Sequence, residues 1–254
     1  MNNDNKKRQY DYAFPGTEIR PSGCLICGKP LIYSDQSRIR KCLICKKEFI
    51  SGCECEDGHY VCDTCHETEL TSFFLPRLLA SDEKDPQKLL DMVMELPSVH
   101  MHGPEHHVIV PCVLLTAYKN NGGEISLEGS LIEALKRAKQ VPGGVCGYWG
   151  ACGASVGAGI YLSVITGSNP LHKEAWPFPQ RLVAQCLEKN AETGGVRCCK
   201  RTSRIAIETA VTFTSEWFGI DMPLTKPSCT HVNINKECLL IQCPFFPAKR
   251  RDKK

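Results

Sequence analysis

Along most of the chain the apolar residues return every three or four positions, which is the spacing of one buried helix face. In "SDEKDPQKLLDMVMEL" this puts Leu89, Leu90, Val93 and Met94 on a common side, with Ser81 or Asp82 expected as the cap. The same period runs through "HHVIVPCVLLTAYKN", "SLEGSLIEALKRAKQV", "CGASVGAGIYLSVITG", "PQRLVAQCLEKNAE" and "SRIAIETAVTFTSEWFG", each ending near Gly, Asn or Pro. Just upstream, "TELTSFFLPRLL" predicts a helix stopped by Pro76. No run alternates with period two, and no repeat recurs at solenoid spacing. Residues 67–248 are therefore expected to form a mainly α-helical domain.

Residues 24–66 carry no such pattern. They are dense in cysteine and too poor in apolar periodicity to build a core, so metal must hold them together. "CLICG" supplies Cys24 and Cys27, "CLICK" supplies Cys42 and Cys45, and "CECEDGHYVCDTCH" supplies Cys55, His59, Cys62 and Cys65. A C-x-x-C knuckle turns two thiolates to one side, and two knuckles close a tetrahedral zinc site. Four successive ligand pairs predict two Zn2+ ions. The pairs can join sequentially, or interleave as first with third and second with fourth. The expected architecture is a small zinc-binding N-terminal module followed by a mainly α-helical cysteine-rich domain. Residues 1–23 read as a loosely ordered lead-in and residues 249–254, "KRRDKK", as a basic tail.

The net charge of +3 sits in that tail. Residues 1–70 hold ten Lys and Arg against eleven Asp and Glu, and zinc on four thiolates adds a formal charge of about −2. A phosphate-binding surface needs the opposite sign, so the module is expected to act as a scaffold or protein-docking element and not as a nucleic-acid binder. The seventeen cysteines, without a secretory pattern at the start of the chain, predict metal ligation in a reducing cytoplasm. Apolar runs such as "VIVPCVLL" fall short of the roughly 20 residues that span a bilayer.

The helical region holds a second set of cysteines. Cys112 and Cys186 lie within apolar helix patterns and are expected to be buried as small hydrophobes. The others fall in loops or at helix starts: Cys146 and Cys152 in "GVCGYWGACGAS", Cys198 and Cys199 in "GGVRCCKRTS", and Cys229, Cys238 and Cys243 in "SCTHVNINKECLLIQCPFF". The last three suit a [4Fe–4S] cluster whose fourth iron is bound by Cys198 or Cys199 or left open to substrate; the same residues could hold zinc, and Cys146 with Cys152, or Cys198 with Cys199, could form a redox dithiol. Cys152 at a helix start, next to bare glycine amides, is placed to react with or ligate a substrate. His106 and His107 suit general acid/base work or ligation, and Arg201 suits anion binding, with Thr202 or Ser203 as the cap of its helix.

Together "CLICGKPLIY", "CEDGHYVCDTCH", "HGPEHHVIVPCVLLTAY", "GVCGYWGACGA" and "CCKRTSRIAIE" resemble a cysteine-rich family of unknown function from archaea and anaerobic bacteria. Its helical domain sometimes accompanies methyltransferase domains. The similarity spans residues 24–246 and implies no activity. The helical domain is more distantly similar in style to the iron–sulfur L-serine dehydratases, which use an open cluster iron to labilise a hydroxyl. Two expectations follow. One is an iron–sulfur enzyme performing sulfur transfer or lyase chemistry on a small anionic substrate. The other is an all-zinc adaptor that docks on a partner enzyme such as a methyltransferase.

Overall fold

The computed structural model describes residues 24, 29–63, 65, 74–96 and 98–247. The lead-in, Cys27 and the basic tail lie outside the described residues. Residues 31–55 form an antiparallel hairpin of β1 (Leu31–Lys41) and β2 (Glu48–Cys55) that the sequence pattern did not predict. Its register pairs Leu31 with Cys55, Tyr33 with Cys53 and Lys41 with Glu48, and slips between Tyr33 and Arg38. That irregularity breaks the alternation, and Ile39 and Ile50 are largely exposed, so there is no apolar face to read. A two-stranded ribbon without a buried face is marginal alone. Its knuckles must supply the cohesion.

The rest of the described chain is mainly helical: α1 (Pro86–Met94), α2 (Glu105–Asn120), α3 (Leu127–Ala138), the short α4 (Val145–Tyr148), α5 (Gly153–Ile165), α6 (Pro177–Thr193) and α7 (Cys199–Phe218), then a 3-10 turn at Leu240–Gln242. Residues 74–79 are also helical and run past Pro76, whose carbonyl accepts from Ala80 N at 3.1 Å. Pro76 therefore does not stop this helix. Among the described residues no helix is long and apolar enough to cross a membrane.

Buried on all sides, α2 is the core's central rod, with Val108, Ile109, Val113, Leu114 and Cys112 wholly enclosed. Its main partner is α5, and α1, α3 and α7 pack around the pair. Pro111 inside α2 removes the N–H that would bond to the carbonyl of residue 107. Gly157 of α5 sits over that gap, where a Cβ would come 2.8 Å from the His107 carbonyl oxygen and 2.9 Å from Pro111 Cδ. The glycines of "CGASVG" thus let two backbones approach closely.

α1 begins at Pro86, so its cap is Asp85, not Ser81 or Asp82. Proline at the first helical position has no amide to satisfy and its φ is already helical. Asp85 Oδ1 accepts from Gln87 N (2.8 Å) and Lys88 N (3.4 Å), while Oδ2 accepts from Thr225 N (2.8 Å), tying the chain beyond α7 to the start of α1. Asp85→Ala is expected to cost about 1–3 kcal/mol in urea unfolding, because buried donors lose their acceptor. An unchanged unfolding midpoint would contradict this role.

Candidate metal centres and the cleft beside them

The hairpin sorts the N-terminal ligands by geometry. Its turn carries Cys42 and Cys45, and the chain returning after β2 brings Cys62 and Cys65 beside them; the open end gathers Cys24, Cys55 and His59. Within each group the ligand atoms lie within 4.8 Å of one another. The pairs therefore interleave, second with fourth and first with third, Cys27 lying outside the described residues. Cys45 Sγ and Cys62 Sγ are 3.7 Å apart, close to the roughly 3.8 Å edge of a tetrahedron built on zinc–sulfur bonds of about 2.3 Å. Burial works against ionisation of Cys42, yet backbone N–H groups of Cys62, Cys45 and Ile44 bring its thiol down to about 6. Burial, and then the neighbouring thiols, raise Cys62 and Cys65. Cys42 forms a thiolate easily there, while Cys62 and Cys65 hold protons that a metal ion would displace.

Cys53 joins neither group. It stands opposite Tyr33 in the register and hydrogen-bonds to that phenol.

The later cysteines divide between two cavities. Cys198, Cys229, Cys238 and Cys243 line a small enclosed one, together with Arg201 and Arg204. Amides point at these sulfurs: His231 N at Cys229 Sγ (3.4 Å), Leu240 N at Cys238 Sγ (3.4 Å) and Asn235 Nδ2 at Cys198 Sγ (3.7 Å). Cys229 N donates to Phe245 O at 2.8 Å and closes the loop on itself. Burial pushes Cys229 up to about 11 and raises Cys198 as well. Arg204, almost wholly buried, pairs with Asp91 Oδ1 at 2.6 Å. Four thiols ringed by N–H donors and guanidinium groups form a donor set that can hold a metal centre and damp its negative charge. Their sulfurs stand wider apart than those of the two N-terminal groups, where all lie within 4.8 Å.

Next to it opens a cleft of ≈ 710 Å³. Cys146, Cys152, Cys199, His106, His107 and Arg201 all line it. Cys198 and Arg201 line both cavities, so they form the partition. The helices explain the convergence. Cys152 is the N-cap of α5 and Cys198 the N-cap of α7, which begins at Cys199, ahead of the expected caps Thr202 and Ser203. Cys198, in extended backbone, faces the small cavity, and Cys199, the first helical residue, faces the cleft, where Gly103 N donates to its thiol. Burial pushes Cys199 up to about 12.

The two histidines are held in one tautomer. His106 Nδ1 lies 3.1 Å from Gly103 O and His107 Nδ1 3.1 Å from Val141 O. A carbonyl accepts only from a protonated nitrogen, so each Nε2 keeps its lone pair. Burial, then the charge of Lys200, drives His106 well below 6.5; burial lowers His107 too. Both are neutral near pH 7, so each Nε2 can accept a proton or ligate a metal, which lies within the acid/base or ligand role expected of them. His106 Nε2 is buried with no hydrogen-bond partner.

Arg201, expected to bind an anion, uses only part of its guanidinium on the chain, and its Nε is buried without a hydrogen-bond partner. Its Nη2 donates to Gly194 O and Val196 O, both at 2.9 Å, and pins the loop before α7. Lys200 is fully buried. A second cation of the cleft is Arg197, near Cys199 and Cys146, with its guanidinium carbon 4.2 Å from the Tyr33 ring centroid. Its place just before "CCKR" was the available signal. Cys112 and Cys186 are wholly buried in the core, as expected.

Residues 76–246 match a family described as a family of unknown function (DUF5714). The matched stretch holds the small cavity and all of the cleft but Tyr33, and starts later than the residue 24 that the motifs suggested. No curated protein and no solved structure matches the chain.

Proposed function

As the chain belongs to this family of unknown function, we propose, from the geometry of its two adjoining cavities, that it is an iron–sulfur enzyme whose chemistry takes place in the cleft. Cys198, Cys229, Cys238 and Cys243 would hold the cluster, and the N-terminal groups would hold two structural zinc ions. The carrying observation is the shared partition: Cys198 and Arg201 border both spaces. A bound [4Fe–4S] cluster would supply single electrons to the cleft across one residue.

Four cysteines suffice to cap four irons. This favours electron delivery over the open-iron lyase chemistry implied by the dehydratase likeness, and leaves sulfur transfer at the cleft thiols as the better reading. The protein's own residues supply the rest. The N-termini of α5 and α7 and the Arg197 guanidinium create a positive field for a small anionic substrate. His106 Nε2 offers an acceptor for a donor group on that substrate. Cys146, Cys152 and Cys199 are the reacting thiols.

Anaerobic reconstitution with ferrous iron and sulfide is expected to give a visible absorbance that dithionite bleaches. Protein that takes zinc at these four cysteines and forms no chromophore would replace this reading with the all-zinc adaptor.

A further inference from the structure

The cleft is not built by the helical region alone. Tyr33 of β1 lines it, although the family match begins only at residue 76. Two contacts tie the N-terminal module to the cleft wall. In the first, the Arg197 guanidinium carbon stacks 4.2 Å from the Tyr33 ring centroid. The phenol hydrogen-bonds to Arg197 and to Cys53, the cysteine left out of both metal groups. In the second, Gly143 N donates to Asp63 Oδ2 at 2.8 Å. Asp63 lies between Cys62 and Cys65, two ligands of the four-cysteine group. Gly143 leads through Gly144, at φ 83°, straight into α4, which carries Cys146.

Each contact therefore connects a metal knuckle or its hairpin to one functional group of the cleft. A metal ion in the four-cysteine group would fix the knuckle and with it Asp63, which holds the segment leading to Cys146. The register pair of Tyr33 with Cys53 fixes the ring on which Arg197 lies. A bare surface arginine would sample many rotamers; stacked on an aromatic face it keeps fewer.

We propose that the N-terminal metal module is a wall of the cleft, with Tyr33 as the positioning residue for Arg197 and Asp63 as the positioning residue for the Cys146 segment. The anionic group of the ligand is then read by an arginine whose aim depends on a residue outside the stretch shared with the family. The module tunes selectivity in a cleft whose other walls the helical region builds. This rests on the cleft being the site of chemistry, but not on the identity of the metal behind it.

Two alkylating reagents of similar size and different charge test it on the full chain: iodoacetate, an anion, and iodoacetamide, which is neutral. Peptide mass spectrometry gives the rate at Cys146, and metal analysis gives the content of the N-terminal groups. With Arg197 held beside Cys146, the native protein is expected to favour iodoacetate there. Tyr33→Leu should cut that preference about fivefold, the scale of one stacking contact and one hydrogen bond, while Tyr33→Phe, which keeps the ring, should retain most of it. Asp63→Ala, which spares all four cysteines, should raise the rates of both reagents at Cys146 about fivefold. If Tyr33→Leu and Asp63→Ala retain their N-terminal metal, and rates and preference at Cys146 stay within about twofold of native, the proposal is overturned. Iron content does not enter this test, so a failure of the iron–sulfur reading would show separately.

Discussion

Gly153→Val is expected to unfold the helical region near growth temperature. A Cβ at residue 153 would stand 2.1 Å from His107 Cδ2 and 2.2 Å from His107 Nε2. The ring cannot retreat, because it is 7% exposed and its Nδ1 is bound to Val141 O. Either α5 lifts from α2 or the imidazole loses its carbonyl. Overpacking of this kind costs about 1–3 kcal/mol, and a buried donor left unmatched about as much again. Together they approach the lower end of a native domain's total stability, about 5 kcal/mol. Thermal unfolding followed by circular dichroism should show a fall of ten degrees or more, on the order expected for several kcal/mol. Gly153→Ala should lie between valine and native, as its methyl group meets the same ring. A melting temperature for the valine variant within about two degrees of native would mean that His107 does not pack as described.

Cys238→Ala is expected to remove the iron centre and leave the N-terminal metals in place. From Cys229 to Phe246 the chain has little regular structure beyond the turn at Leu240–Gln242, and Ile241 is 84% exposed. A loop with so little apolar burial is held by its ligands. Removing one of four thiolates should therefore reduce bound iron at least tenfold, in keeping with the loss of a metal ligand. Limited proteolysis should then cut between residues 229 and 246. Cys152→Ser and Cys186→Ala serve as controls. The first removes a cleft thiol and the second a core thiol buried against α7, whose Thr209 bonds to it; both should keep their iron. Equal iron in Cys238→Ala and native protein would exclude Cys238 from the centre.

The sequence made the helices legible where apolar residues kept one period. Leu89, Leu90, Val93 and Met94 are all buried, as their spacing requires. It also made the metal knuckles legible, because C-x-x-C is a local signal. What escaped depends on contacts between distant residues. The hairpin was hidden by its irregularity at Tyr33–Arg38 and by isoleucines that face solvent. Interleaving of the ligand pairs follows from that hairpin, whose two ends gather different knuckles, so it could not be read before the hairpin was. The caps at Asp85 and Cys198 were missed because more favourable-looking polar residues stood nearby. Cys198 and Cys199 part company only through the backbone change at the start of α7. Arg197 gained its place by lying over an aromatic ring 164 residues earlier in the chain, a pairing with no local trace.

The central claim is that the four later cysteines hold iron and sulfide while the N-terminal groups hold zinc. Elemental analysis of anaerobically purified protein, with acid-labile sulfide measured on the same sample, tests it directly. The expected result is about two zinc ions, about four irons and a matching amount of sulfide per chain. About three zinc ions, with neither iron nor sulfide, would contradict it.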